Sequence, residues 1–342
     1  MTNFIQLHLL TSYPPANLNR DDTGQPKTAM MGGVLRARVS SQSLKRAWRT
    51  SPIFAERLAG HIGTRTKRFS GAIQEAMIAA GKTEEQAKAA AASVSAVFAK
   101  VDKDDAPHTG QLVHLSPNEL ATVDALASRF AAGEAVDPTQ EALLGGGEGA
   151  ADIAMFGRML ADKPAHSVEA AVQVAHALTT HRITVEDDYF TAVDDLKSRT
   201  EDSGAAHVGE TEFVAGVFYL YICIDRDLLA RNLGDEALAN TAVRALVEAA
   251  AKIAPTGKQA TFASRAYASF ILAERGSQQP RSLSLAFLKP VSGTDTMEAS
   301  AQALQQTVEK MDAAYGSCAD ERCTMDVAKE GTLAALLDFV GR

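Results

Sequence analysis

Residues 34–52, VLRARVSSQSLKRAWRTSP, change period halfway along. VLRARV alternates, with Leu35, Ala37 and Val39 on one face and Arg36 and Arg38 on the other, the pattern of a strand that turns one face to a core. From Ser40 onward the period becomes that of a helix. Leu44, Ala47 and Trp48 share one side, and Gln42, Lys45, Arg46 and Arg49 share the opposite side. Ser40 or Ser41 is the expected N-cap, and Pro52 the stop. A strand that runs straight into a helix with one apolar side predicts an α+β core, with a cationic helix face left outside it.

Upstream, IQLHL (5–9) alternates as well, with Ile5, Leu7 and Leu9 toward a core and Gln6 and His8 opposite. The stretch between, TSYPPANLNRDDTGQP (11–26), is rich in turn formers. Downstream, about 69–182 reads as a helical insertion. GAIQEAMIAA, EEQAKAAAASVSAVFAK, PNELATVDALASRFAAG and SVEAAVQVAHALTTH have helix-forming composition, punctuated by Pro107, Pro117, Pro138, Gly145-Gly146-Gly147 and Pro164. Residues 183–216 are polar and carry Gly204, Gly209 and Gly216. VFYLYICID (217–225) is apolar on both faces, as a strand covered on both sides must be. Helices over RDLLARNLG and EALANTAVRALVEAAAKIA follow, then a strand at AYASFILAE (266–274), then helices over ASAQALQQTVEKM and TLAALLDFV.

The composition, 46% hydrophobic and 22% charged over 342 residues, permits one elaborate domain or two with a sizeable core. No run of about 18 apolar residues predicts a membrane span. MTNFIQLHLL lacks the marks of a secretory leader. Three cysteines, Cys223, Cys318 and Cys323, make no disulfide framework, so a cytoplasmic location is expected. The net charge of −8 is unevenly placed. Residues 1–68 carry a net +8 and residues 69–342 a net −16. A basic head on an acidic body fits a localised polyanion site.

Other constellations are weaker. On a helix, His176 and His181 would stand about 140° apart, which excludes a shared metal and leaves them structural or capping roles. Cys318 and Cys323 have no second pair for zinc. APTGKQAT (254–261) lacks the spacing of a phosphate-binding P-loop, although Lys258 in a loop suits a polyanion. No nucleophile–base set is legible, and neither a cofactor nor a resident metal is expected. Asp21 and Asp22 could hold Mg²⁺ or act as a general base; the plainer reading pairs them with neighbouring bases. The basic helix is the sharpest signal, because its N-terminus adds free N–H groups to the side-chain charge.

The string LNRDD…K…GG…RVSSQSLKRAWR resembles the start of the CasC family, the backbone subunit of the type I-E CRISPR effector complex Cascade. AHALTTH…DDYFTAVDDL (175–196), GAAHVGETEFVAGVFY (204–219) and GKQATF (257–262) resemble the same family in the same order. The resemblance implies a modified RNA-recognition-motif, ferredoxin-like palm at 1–58 and 218–342, helical fingers at 59–182 and an extended thumb at 183–217. It implies a non-catalytic protein that stacks with copies of itself along a CRISPR guide RNA, beside other Cascade subunits. The guide is then presented to target DNA.

Residue by residue, the resemblance puts Arg20, Lys27, Ser40, Gln42, Lys45, Arg46 and Arg49 on guide phosphates, with Lys258 as a further cation. It matches Met159 to the finger methionine that packs on a base, and Phe190, Thr191, His207 and Val208 to the thumb positions at a kink in the guide. Phosphate contacts give affinity without sequence preference, and base pairing then reads sequence. The alternative is an Mg²⁺-dependent ribonuclease of a related effector, with Asp21 or Asp22 as the working carboxylate. A structural protein without nucleic acid is a third possibility.

Overall fold

A computed structural model describes residues 3–145, 149–192 and 207–342. Gly146 and Gly147 of the glycine run, and the KSRTEDSG stretch (197–204), lie outside the described residues. The strands are β1 (Phe4–Ala16), β2 (Thr28–Met31), β3 (Val34–Val39), β4 (Thr64–Thr66), β5 (Val113–Leu115), β6 (Val172–Val174), β7 (Ala177–Thr179), β8 (Glu186–Ala192), β9 (His207–Asp225), β10 (Ala268–Gly276) and β11 (Glu321–Asp326). The helices are α1 (Ser41–Arg49), α2 (Pro52–Arg57), α3 (Gly71–Ala79), α4 (Glu84–Phe98), α5 (Pro117–Ala131), α6 (Ala151–Phe156), α7 (Arg226–Leu233), α8 (Glu236–Lys252), α9 (Gln259–Phe262), α10 (Thr296–Tyr315) and α11 (Leu333–Val340). The fold is α+β, as the period change at Ser40 predicts. No described helix is long and apolar enough to cross a membrane.

One antiparallel sheet runs β11-β10-β1-β9-β7-β3-β2, with β6 and β8 also paired to β9. β1 lies antiparallel to both β9 and β10, so those two are parallel to each other. α7 and α8 join them, which makes a split β–α–β unit around β1. Both faces of the sheet are covered, as the all-apolar VFYLYICID requires. Ile5, Leu7 and Leu9 pack with Leu44, Trp48, Leu246 and Leu336 on one face. Leu10, Tyr219, Phe270 and Leu272 pack with Phe287, Leu304 and Val308 of the other.

The second face also buries polar groups. His8 Nε2–H donates to Glu274, and Tyr219 O–H donates to His8 Nδ1. Burial holds the His8 imidazole below its ordinary pKa, against the pull of Glu274. Burial would raise Glu274, but hydrogen bonds from His8, Arg281 and Arg322 outweigh it and hold the carboxyl well below its usual range.

A separate core lies in the insertion, where Phe69, Ile73, Val94, Phe98, Val123 and Leu126 pack among α3, α4, α5 and the small β4–β5 sheet. Capping boxes at Thr83 and Ser116 fix the starts of α4 and α5.

Three expectations are corrected. Residues 167–181 are not helical: Val172 pairs with Ile224 of β9 and Ala177 with Val39 of β3, so an Ala-rich segment is drawn into strands by the open sides of β9 and β3. Pro52 does not merely stop α1; it sits at the first position of α2, where its missing N–H costs nothing. Arg36 is not part of a solvent-facing basic surface. It is fully buried, and its guanidinium donates to the carbonyls of Met31, Thr179 and Phe287, binding β3 to the rest of the sheet.

Candidate nucleic-acid interface

α1 is held from three sides. Leu44 and Trp48 enter the core, each burial stabilising by about 1.5–3 kcal/mol. Trp48 Nε1–H reaches Ile253 O at 3.3 Å. At the N-terminus, Ser40 is the cap, its Oγ accepting from Ser43 N–H at 3.3 Å. Ser40 N–H donates to Asn19 Oδ1 (2.9 Å) and Ser41 N–H to His176 Nδ1 (3.1 Å). The loop before β2 is thus tied to the helix start.

The outward side of α1 carries the predicted set. Gln42 and Arg46 are exposed, and Lys45 and Arg49 are half-buried. The Lys45 ammonium stands 5.7 Å from the centre of the Phe156 ring, and burial lowers its pKa. Arg49 bends toward the insertion, its Nη1 at 3.5 Å from both Gly63 O and Asp152 Oδ2.

Lys27 and Arg38 join this side. Lys27 N–H donates to Asn19 O, and Arg38 N–H to Lys27 O, both at 2.8 Å. His176 senses the group: burial, then the charges of Arg38, Lys27 and Lys45, hold its imidazole below the usual value. Arg20 is exposed and bridges across the loop to Pro26. Lys258 is exposed in a left-handed backbone conformation (φ 51°). Its neighbour Gly257 rests on the Arg20 loop, since a Cβ there would fall 2.4 Å from Leu18 O and 2.8 Å from Asn17 O. Only glycine permits that approach, which brings Lys258 beside the segment that carries Arg20.

Among the described residues, Arg20, Lys27, Arg38, Lys45, Arg46 and Lys258 have no ion-pair partner, although the chain has 42 acids to 34 bases. Several cations elsewhere are answered: Arg129 by Glu134 and Glu141, Arg158 by Glu119, Arg322 by Glu274 and Asp312. A surface that keeps its cations apart from so many carboxylates is suited to an external polyanion.

Met159 lies 85% exposed on a turn closed by the Arg158–Val168 bridge. The turn is rigidly based. Buried Arg158 pairs with Glu119 at 2.7 Å and donates to the carbonyls of His114, Gly145 and His166. Phe156, Met159, Val168 and Ala170 line an open hollow of about 540 Å³, and Phe156 also underlies Lys45, so the hollow adjoins the basic helix face.

β8 and the first part of β9 form an antiparallel ribbon. Phe190 is opposite Gly209, Thr191 opposite Val208 and Ala192 opposite His207. Opposite residues share a face. Thr191 and Val208 therefore occupy one face, and positions 190 and 207 the other. Phe190 lies over Gly209, where a Cβ would come 2.3 Å from the ring.

Asp21 is occupied locally. Its Oδ1 accepts from Thr23 N–H, Thr23 O–H and Gln25 N–H at 2.8–3.0 Å, and these bonds, the Thr23 hydroxyl first, hold its pKa down. This differs from a pairing with Arg20. Among the described residues no cluster of three or more His, Cys, Asp or Glu could hold a metal ion.

Sequence reasoning undervalued His176, which caps α1 from between two short strands. A period-2 reading of 172–179 would have found those strands. It also missed Asp152, which nothing local in the sequence marks.

The chain matches the family described as CT1975-like protein over residues 5–338. No curated protein matches it. A chain in a structure described as a CRISPR RNA-guided surveillance complex, pre-nicking, is 30% identical, with 99% of each chain covered and a TM-score of 0.85. A chain in another CRISPR RNA-guided surveillance complex is 27% identical, with 99% of this chain and 98% of that one covered and a TM-score of 0.63. The chain belongs to the CT1975-like protein family, which bears out the family resemblance carried by its motifs.

Proposed function

We propose that this chain is a non-catalytic subunit of a type I-E CRISPR surveillance complex that binds the backbone of the guide RNA. The split β–α–β sheet serves as an RNA-recognition-motif-like palm (1–58 and 218–342), the second core as fingers (59–182), and the β8–β9 ribbon as the base of a thumb (183–217). Copies stack along the guide, and the guide pairs with target DNA while other Cascade subunits complete the assembly in the cytoplasm.

The observation that carries the reading is the group of unpaired cations on α1 and the loops tied to it, in a chain that is otherwise acidic. Ser40, Gln42, Lys45, Arg46, Arg20, Lys27 and Lys258 offer donors to phosphate oxygens, and contacts to phosphate carry no sequence preference, as carriage of many guides requires. The likeness to chains of RNA-guided complexes supports the same reading. The two-faced ribbon at Phe190, Thr191 and Val208 suits a wedge between neighbouring bases, where stacking is worth about 1–3 kcal/mol per base. The bonds already held by Asp21 favour this reading over a ribonuclease that works through Asp21.

The test is co-expression with a CRISPR array and partner subunits, purification, and sequencing of the retained nucleic acid. Retained transcripts of the array in repeat-spacer register support the proposal. A preparation free of nucleic acid, or one holding random cellular RNA, refutes it.

A further inference from the structure

The cationic side of α1 does not stop at its last residue. Arg49 reaches Gly63 O and Asp152 Oδ2. Asp152 is fully buried; its Oδ1 accepts from Gly63 N–H (2.8 Å) and its Oδ2 from His114 Nε2 (2.9 Å). Gly63 fits this corner because it lacks a Cβ, which would stand 2.8 Å from Leu115 O and 2.9 Å from His114 Nε2.

Two residues on, in β4, is Arg65, the register partner of His114 on β5. Opposite residues share a face. Arg65 therefore belongs to the face of the small sheet that meets Asp152 and Arg49. It lies about 6–7 Å along the strand from Gly63. It is exposed and has no ion-pair or hydrogen-bond partner for its guanidinium among the described residues. Asp152, the acid at this corner, is already taken by four donors. Lys67, just beyond β4, contributes to holding the Asp102 carboxyl below its ordinary pKa, after the backbone hydrogen bonds from Asp104 and Asp105.

We propose that Arg65 is a further phosphate-binding residue, and that the track for a single-stranded ribose-phosphate chain runs from α1 past Arg49 onto β4. The inference rests on the guide-binding reading and extends it across the junction to the insertion. The ligand at Arg65 is a phosphodiester of the same guide strand, because the corner joins it directly to α1.

The test measures affinity of the purified full chain for a generic single-stranded RNA across a salt series. Arg65→Gln, Lys45→Gln, Arg65→Lys and Arg231→Gln are compared, the last being an exposed arginine on α7 outside the track. Loss of one phosphate contact lowers the slope of log affinity against log salt by about 0.7, which is about fourfold in affinity at 0.15 M salt. Arg65→Gln should show that loss, Arg65→Lys should restore the slope, and Arg231→Gln should leave it unchanged. If Lys45→Gln weakens binding but Arg65→Gln matches Arg231→Gln, this inference falls and the guide-binding reading stands. If neither Lys45→Gln nor Arg65→Gln matters, both fall. If Arg65→Gln spares RNA affinity but weakens capture of complementary DNA by the loaded complex, the assignment to the guide strand is overturned. Failure of Arg65→Lys to restore the slope also overturns it.

Discussion

Asp152→Ala is expected to loosen the corner where α1 meets the insertion. The carboxylate answers four donors: Gly63 N–H, Ile153 N–H, His114 Nε2 and Arg49 Nη1. Alanine leaves the buried Gly63 and Ile153 N–H groups without an acceptor, at about 1–3 kcal/mol each. The His114 and Arg49 side chains are 13% and 16% exposed, so water partly answers them. Their loss adds about 0–1 kcal/mol each. The total is at least about 2 kcal/mol. Asp152→Asn keeps an oxygen for Gly63 N–H, and its amide can donate to a neutral His114, so it should cost about 1 kcal/mol. Trp48, the one tryptophan, is buried under α1 and reports the transition by fluorescence in urea. Circular dichroism follows all the helices, those of the insertion among them, in the same titration. Alanine should lower the fluorescence midpoint more than asparagine and separate the two signals, since the cores then unfold less as one. An alanine variant as stable as the asparagine one, with coincident signals, would refute the argument.

Gly257→Ala brings a methyl against Leu18 O, so overpacking should cost about 1–3 kcal/mol. It should also weaken RNA binding about fourfold by moving Lys258, whereas Thr256→Ala beside it should do neither; thermal melts and filter binding read both effects. Acid should destabilise the chain in two stages. His8 has a folded pKa below 6.5, so the unfolded state takes up more protons as pH falls below about 6.5 and stability drops; Glu274, depressed from 4.5, adds a second loss below about 4.5. Urea midpoints between pH 8 and 4 test this, and His8→Gln should reduce the first stage without removing it, because His176 titrates in the same window.

The large sheet was largely legible because its main strands obey their own periods. IQLHL, VLRARV, VFYLYICID and the helix at 41–49 fold as their patterns require. The failures have one physical source, which is pairing at a distance. Residues 172–179 have a helical composition yet supply two short strands, since β9 offers unpaired backbone and local propensity is the weaker term. β11, ERCTMD, is too polar to announce itself and exists because β10 has a free edge. Arg36 alternates with core residues like a surface group, and only the three carbonyls that meet it explain its burial. The candidate site shows the same division. Lys45, Arg46 and Gln42 could be read from helix spacing, whereas His176, Asp152 and Arg65 come to it by tertiary contact and sheet register.

The account depends most directly on whether α1 grips a phosphate chain. Lys45→Glu with Arg46→Glu changes no core residue, and Leu44 and Trp48 still dock the helix. The ratio of absorbance at 260 to 280 nm of the purified, co-expressed assembly should fall to that of protein alone in this variant, with Trp48 fluorescence unchanged. An assembly that retains the same guide RNA, and holds it equally well in high salt, would contradict the account.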